Sequence, residues 1–387
     1  MTDQPNTGRL KLRTSALRAY TMLLALIVIW LFFQWATRDP QYHPYGLFLG
    51  AVNFSKLLQQ MAVTGVLAVG MLMVIVSGNI DLSIGAVVGL AGGIAALTQG
   101  WGLGPSLASA VVVGLAIGAL QGTLVAYFNI PAFIVTLGGL EAWRGIILKL
   151  TKGATIPVEL PFFRSLGRDF IDPRIGVGLA IAAIAGIIWT NIRRRQARIR
   201  HGLTPLTSSA LAARIAIPSI VIIGFIFLMN QAEGIPIPVI FLLAVALAGA
   251  FLTANTTFGR YLYAIGGNPD AARLSGINLK RYILAAFCVM GALAGLASIL
   301  HTARVGSASP DAGTLMELDA IASCVIGGTS LMGGRGTVLG AVLGALILAS
   351  LDNGMSLLNV ENWAQYVVKG GVLVAAVGFD MFGRRKA

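Results

Sequence analysis

The chain has 387 residues, of which 56% are hydrophobic and 11% charged, with 48 glycines and a mean hydropathy of +0.82. So few charges do not cover a soluble surface of this size, which excludes a water-soluble globular protein and fits a polytopic membrane protein. The formal net charge of +13 does not indicate nucleic acid, because the basic residues sit in short tracts beside apolar runs and lack interleaved aromatics.

A membrane-spanning helix needs roughly 17 to 25 apolar residues. Runs of that kind lie at 20–36, 60–77, 82–98, 106–127, 133–149, 175–192, 213–229, 237–254, 283–301, 319–332, 337–352 and 364–380. The first follows Arg9, Lys11, Arg13 and Arg18, as a cleaved signal would, but Phe32, Phe33, Gln34 and Trp35 stand where a small-residue cleavage site belongs. It is read as a retained span. The expected fold is therefore an all-α polytopic membrane protein with about 10–12 transmembrane helices. It comprises a cytoplasmic tail (1–19), a membrane-embedded domain (20–380) and a basic cytoplasmic tail (381–387). The run at 319–332 is short and rich in glycine and is expected to be re-entrant or broken.

With the N-terminus inside, 18 of the 28 Lys and Arg residues fall in inner segments and 7 in outer ones, which sets the orientation. Multi-pass insertion with both termini cytoplasmic follows. The outer loop 150–174 runs against the trend, although Glu159, Asp169 and Asp172 lower its charge.

A faint internal repeat lays Asp81–Gly89 over Asp319–Gly327, with only Asp, Val and Gly coinciding. Glycine ladders follow each copy: Gly114, Gly118 and Gly122, then Gly340 and Gly344. Two copies crossing in opposite senses are the arrangement of inverted-repeat transporters. Four-residue glycine spacing also lets backbones approach closely in lipid.

Ionisable residues at membrane depth are costly and point to function. They are Asp81, Glu141, Arg144, Glu317, Asp319, Asp352 and Lys369. Glu141 and Arg144, three apart on one helical face, are expected to neutralise each other. The acids Asp81, Asp319 and Asp352 fall at span ends, which speaks against an ion-coupled carrier. Uncharged polar residues are candidates to line a passage for a neutral hydroxylated solute: Asn53, Gln60, Thr64, Asn79, Gln121, Thr136 and Asn353, with Asp81 beside them.

Between two spans lies a polar segment, 256–281. Asn268 is a helix cap, Pro269 suits the first helical position, Asp270 complements the positive dipole end, and Gly276 supplies a left-handed stop. These residues predict a two-turn helix from Pro269 to Ser275. So short a helix is marginal alone. It presents Ala271, Ala272 and Leu274, either to a partner or back onto its own bundle.

No phosphate-binding loop of the G-x-x-x-x-G-K-[ST] type occurs, so the chain lacks that means of hydrolysing ATP. No nucleophile elbow or zinc-type spacing is present either; His43, His201 and His301 are isolated, and no cofactor, metal or enzymatic activity is expected. Cys288 and Cys324 lie in apolar surroundings and carry no assigned chemistry.

Several motifs together resemble the permease subunits of bacterial ABC importers for monosaccharides, the ribose, xylose and galactose type. They are Asp81-Leu82-Ser83-Ile84-Gly85, Phe133-Ile134-Val135-Thr136-Leu137-Gly138, Thr257-Phe258-Gly259-Arg260 with Ala264-Ile265-Gly266-Gly267-Asn268, Ala271-Ala272-Arg273-Leu274-Ser275-Gly276-Ile277, and Val325-Ile326-Gly327-Gly328-Thr329-Ser330-Leu331. The resemblance covers roughly 50–380. An insertion at 170–233, carrying Arg193-Arg194-Arg195, and the segment Leu351-Asp352-Asn353-Gly354-Met355-Ser356 make it most similar to the xylose type. It implies a permease homodimer in the lipid of the bacterial inner membrane, a cytoplasmic ATPase subunit with two nucleotide-binding modules, and a periplasmic sugar-binding protein. The helix at 269–275 is then the coupling element docking on the ATPase, with Gly259, Arg260, Gly267, Asn268, Pro269, Ala271, Ala272, Arg273, Leu274, Ser275 and Gly276 as its residues. The alternative reading is an ion-coupled secondary sugar transporter, and a bare membrane scaffold is a distant third.

Overall fold

The computed structural model describes residues 14–39, 43–204 and 207–384, so most of the expected N-terminal tail and residues 385–387 lie outside the described residues. The helices are α1 (Thr14–Ala36), α2 (Ala51–Val76), α3 (Ile84–Leu97), α4 (Leu103–Ala126), α5 (Ala132–Thr151), α6 (Pro161–Arg168), α7 (Pro173–Arg200) and α8 (Ser208–Asn230). After these come α9 (Ile237–Asn255), α10 (Thr257–Gly267), α11 (Pro269–Leu274), α12 (Leu279–Val305), α13 (Met316–Ile326), α14 (Val338–Leu357) and α15 (Asn362–Arg384). Each of the twelve expected apolar runs coincides with a helix. Among the described residues, seven helices are long and apolar enough to cross a membrane: α2, α4, α7, α8, α9, α12 and α14. Among the described residues, sheet is confined to two clips of two residues per strand. β1 (Ile156–Pro157) pairs antiparallel with β4 (Ser307–Ala308), and β2 (Phe170–Ile171) with β3 (Ile235–Pro236).

Helix starts follow side-chain chemistry. Asp172 accepts from Arg174 N at 2.8 Å to open α7, Thr256 from Gly259 N to open α10, Asn278 from Arg281 N to open α12, and Thr337 from Gly340 N to open α14. The largest shift at a helix start within the core is in α2, which begins at Ala51, well before the expected 60, because its first turns carry Asn53, Ser55, Lys56, Gln59 and Gln60. These depress hydropathy without breaking the helix.

The core is organised by α2, buried along most of its length, and α12. Around them the packing is twofold. α3 and α4 form a hairpin that rests on α12, while α13 and α14 form a hairpin that rests on α2; α5 and α15 flank α3 and α13 respectively. α10 touches the C-terminal end of α2, where Gly266 abuts Val76, and the N-terminal end of α12, where Tyr261 and Phe258 meet Tyr282. α2 and α12 therefore run in opposite directions, and the units α2–α5 and α12–α15 form an inverted, interlocked pair. The faint sequence repeat maps onto α3 and α13, although Asp81 precedes its helix whereas Asp319 sits within the first turn of α13.

The glycine ladder of α4 does what its spacing predicts. A Cβ on Gly114 would meet the carbonyl of Gly291, and one on Gly291 would meet the carbonyl of Gly114, so the two backbones touch. At 14 and 11 residues, α3 and α13 rise only about 21 and 17 Å at 1.5 Å per residue, short of the roughly 30 Å hydrocarbon core. Both are half-spans. The expected broken element at 319–332 is α13 followed by the turns at 327–336.

Candidate functional site

Half-spans carry backbone and polar side chains into the interior of the bundle, and each unit gathers polar groups there. In the first, Gln121 Nε2 donates to Ser83 Oγ at 2.8 Å, and Ser83 donates in turn to Asp81 Oδ1 at 2.7 Å; all three residues are buried. Ser83 N also donates to Asp81 Oδ1 at 2.8 Å. Thr136, fully buried on the neighbouring α5, donates to Ala132 O. Asn79 donates to Ser77 O and Ser77 Oγ in the turn after α2.

In the second unit, Lys369 Nζ on α15 lies 3.1 Å from Asp319 Oδ1 on α13 and 2.9 Å from Asp352 Oδ2 on α14. This corrects the placement of the acids at span ends. Asp319 lies in the first turn of a half-span and not at the end of a full one, and α14 runs on to Leu357, so Asp352 sits within it. A small cavity of about 70 Å³ beside the ion cluster is lined by Gln60, Thr64, Arg304, Asp319 and Asp352. Asn53 and Asn353 face each other in a reciprocal amide pair, 2.8 and 3.0 Å, that joins α2 to α14.

Of the eight proposed path residues, Asp81, Gln121 and Thr136 thus gather around α3, while Gln60 and Thr64 share a cavity with the second cluster. Asn53 pairs with Asn353, and Asn79 stands in a turn. Arg144 corrects a further expectation. It does not pair with Glu141; its guanidinium donates to Pro310 O at 2.9 Å and Ala312 O at 3.0 Å, tying α5 to the chain before α13. A three-residue spacing places two side chains on one face without saying what lies opposite. Ser83 and Arg304 were not singled out as site residues; only Ser83, between Asp81 and the start of a half-span, carried a signal.

Within 256–281 the capped helix forms as its sequence predicts, preceded by α10, which the sequence reading did not foresee. Asn268 Oδ1 accepts from Ala271 N at 3.0 Å, α11 spans Pro269–Leu274, Ser275 closes it, and Gly276 follows at φ +81°. Arg260, Gly267, Asn268, Pro269, Ala271, Arg273, Leu274, Ser275 and Gly276 are exposed, Leu274 at 89%. Two residues turn the other way. Gly259 is buried against the carbonyls of Leu252 and Thr253, and Ala272 is 4% exposed, so Ala272 anchors α11 to its own chain instead of offering surface. α10 is pinned by Tyr263, which donates to Gly336 O at 2.8 Å and whose hydroxyl pKa is raised by burial. Beside it opens a cleft of about 500 Å³ lined by Gly266, Gly267, Ser330, Met332, Gly333, Gly334 and Arg335.

Residues 53–377 match the family model described as a branched-chain amino acid transport system permease component. The chain is 44% identical over 382 residues to the xylose transport system permease protein XylH of Escherichia coli K12, covering 97% of this chain and 95% of that protein. It is 45% identical to XylH of Haemophilus influenzae, at 97% and 99% coverage, and 35% identical to the ribose import permease protein RbsC of E. coli K12, at 98% and 99%. No solved structure matches. With an inverted pair of helical units and matches running end to end, the chain belongs to this family of transport-system permease components.

Proposed function

We propose that this chain is the membrane permease of an ATP-driven importer of xylose or a closely related pentose in the bacterial inner membrane, with both termini cytoplasmic. Two copies enclose the passage, a periplasmic binding protein delivers the sugar, and an ATPase with two nucleotide-binding modules drives the change of access. The carrying observation is α11. It is a capped two-turn helix, outside the bundle, held by Ala272 and showing Arg273 and Leu274 to solvent, in a chain without a phosphate-binding loop. Such a surface fits a motor supplied by another subunit. The 500 Å³ cleft next to it extends the same face across the turns that follow α13. Force applied there reaches both units, because α10 abuts α2 and α12 at once.

The solute assignment is supported by the end-to-end similarity to xylose permeases. The test is reconstitution. Proteoliposomes holding this chain, its ATPase and its binding protein should accumulate labelled xylose only with ATP. Uptake by the chain alone under a proton or sodium gradient would replace this reading with the ion-coupled one.

A further inference from the structure

The segment 170–233 folds as the hairpin α7–α8. Only 11% of the apolar stretch of α7 and 6% of that of α8 is buried, so the hairpin stands in lipid with little protein around it. β2 and β3 clip its two ends together beside the start of α9, and α9 then runs to α10 and α11. The opposite end of the hairpin, where α7 passes into α8, therefore lies at the same end of the bundle as α11.

That end is strongly basic. From Ile175 to Ile192 α7 carries no charge, and these 18 residues rise about 27 Å, close to the hydrocarbon thickness. The helix then continues without a break to Arg200. Arg193, Arg194, Arg195, Arg198 and Arg200 consequently fall within the next 12 Å or so, the depth of the headgroup layer. Arg214 joins them from α8. It stands six residues into that helix, Arg195 stands five from the end of α7, and the two helices pack as consecutive members of a hairpin.

No Asp or Glu occurs between Asp172 and Glu233, and both of these lie at the clipped end. Among the described residues none of the six arginines pairs with a carboxylate, and the buried Arg195 Nε has no hydrogen-bond partner. Arg193 lies over the ring of Trp189 at 4.1 Å, an aromatic at the depth where the apolar stretch ends. Capping of the helix dipole accounts for Arg198 and Arg200 in the last turn, but not for Arg193, Arg194, Arg195 or Arg214.

We propose that this end of the α7–α8 hairpin binds the phosphate headgroups of anionic phospholipids, with Arg193, Arg194, Arg195 and Arg214 as the principal contacts. Six cations that pair with no carboxylate among the described residues, on two lipid-exposed helices at headgroup depth, are complementary to an acidic lipid surface. That the leaflet is the cytoplasmic one rests on the orientation proposed above; the headgroup site itself does not.

The test uses the full-length chain, purified in mild detergent and examined by native mass spectrometry with dioleoylphosphatidylglycerol or dioleoylphosphatidylcholine added. The wild type should retain phosphatidylglycerol about tenfold over phosphatidylcholine. The variant R193Q/R194Q/R195Q/R214Q should lose that preference while keeping its circular dichroism spectrum, and the corresponding lysine variant should keep the preference. Inorganic phosphate at millimolar concentration should not displace the lipid. Equal retention of both lipids, or an undiminished preference in the glutamine variant, overturns the proposal. So does a glutamine variant that keeps the preference but loses a co-purifying ATPase. A separate arm labels Gln196→Cys with an impermeant maleimide, and reaction from the periplasm would sink the orientation alone.

Discussion

Lys369 Nζ stands 2.9 Å from Asp352 Oδ2, and the same ammonium reaches Asp319 at 3.1 Å, so a single cation on α15 holds two carboxylates from α13 and α14. Removing it leaves two partly buried like charges facing each other. Lys369→Met should destabilise the protein by about 3 kcal/mol, the scale for breaking a buried ion pair from one side. Adding Asp319→Asn and Asp352→Asn should recover most of that loss. Thermal unfolding in detergent checks both, and a Lys369→Met variant as stable as wild type would refute the assignment.

The reciprocal pair Asn53–Asn353 makes a similar but uncharged bond between α2 and α14. Asn53→Ala should cost about 1 kcal/mol, because it strands a half-buried amide. The double change Asn53→Leu with Asn353→Leu should cost less than the sum of the single ones. A double-mutant cycle on unfolding midpoints measures the coupling, and strict additivity would show that the pair is not formed.

Gly291→Val should prevent stable folding, since the new side chain must displace the backbone of α4 at Gly114. Gly186→Val, on lipid-exposed α7 with open space at its Cβ, should leave folding intact. Monodispersity of the two detergent-solubilised variants separates these outcomes.

On α11, Leu274 and Ala272 should respond oppositely. Leu274→Asp, at a site 89% exposed, should abolish ATPase co-purification without lowering the melting temperature. Ala272→Asp, at 4% exposure, should lower the melting temperature because it buries a carboxylate. Arg273→Glu should uncouple ATP hydrolysis from uptake. Gly276→Val should do the same by forcing a β-branched residue to φ +81°. Normal uptake by both of these variants would exclude α11 as the transmission joint.

The sequence by itself determined the membrane class, the twelve helices and the capped form of α11. Each depends on composition or on residues within a few positions of one another: Asn268 and Ala271, Asp172 and Arg174, Gly276 after the last turn. It also pointed to the internal repeat, since Asp81 and Asp319 begin half-spans of opposite sense. Only the tertiary structure decided which polar groups meet. Asn53 finds Asn353 across 300 residues, Lys369 gathers Asp319 and Asp352, and Arg144 turns from Glu141 to the carbonyls of Pro310 and Ala312. The inward turn of Ala272 was likewise invisible, because helical periodicity fixes a face and not what covers it. Hydropathy fails for a related reason: lipid is as apolar as a protein core, so the buried α2 and the lipid-exposed α7 read alike until their neighbours are known.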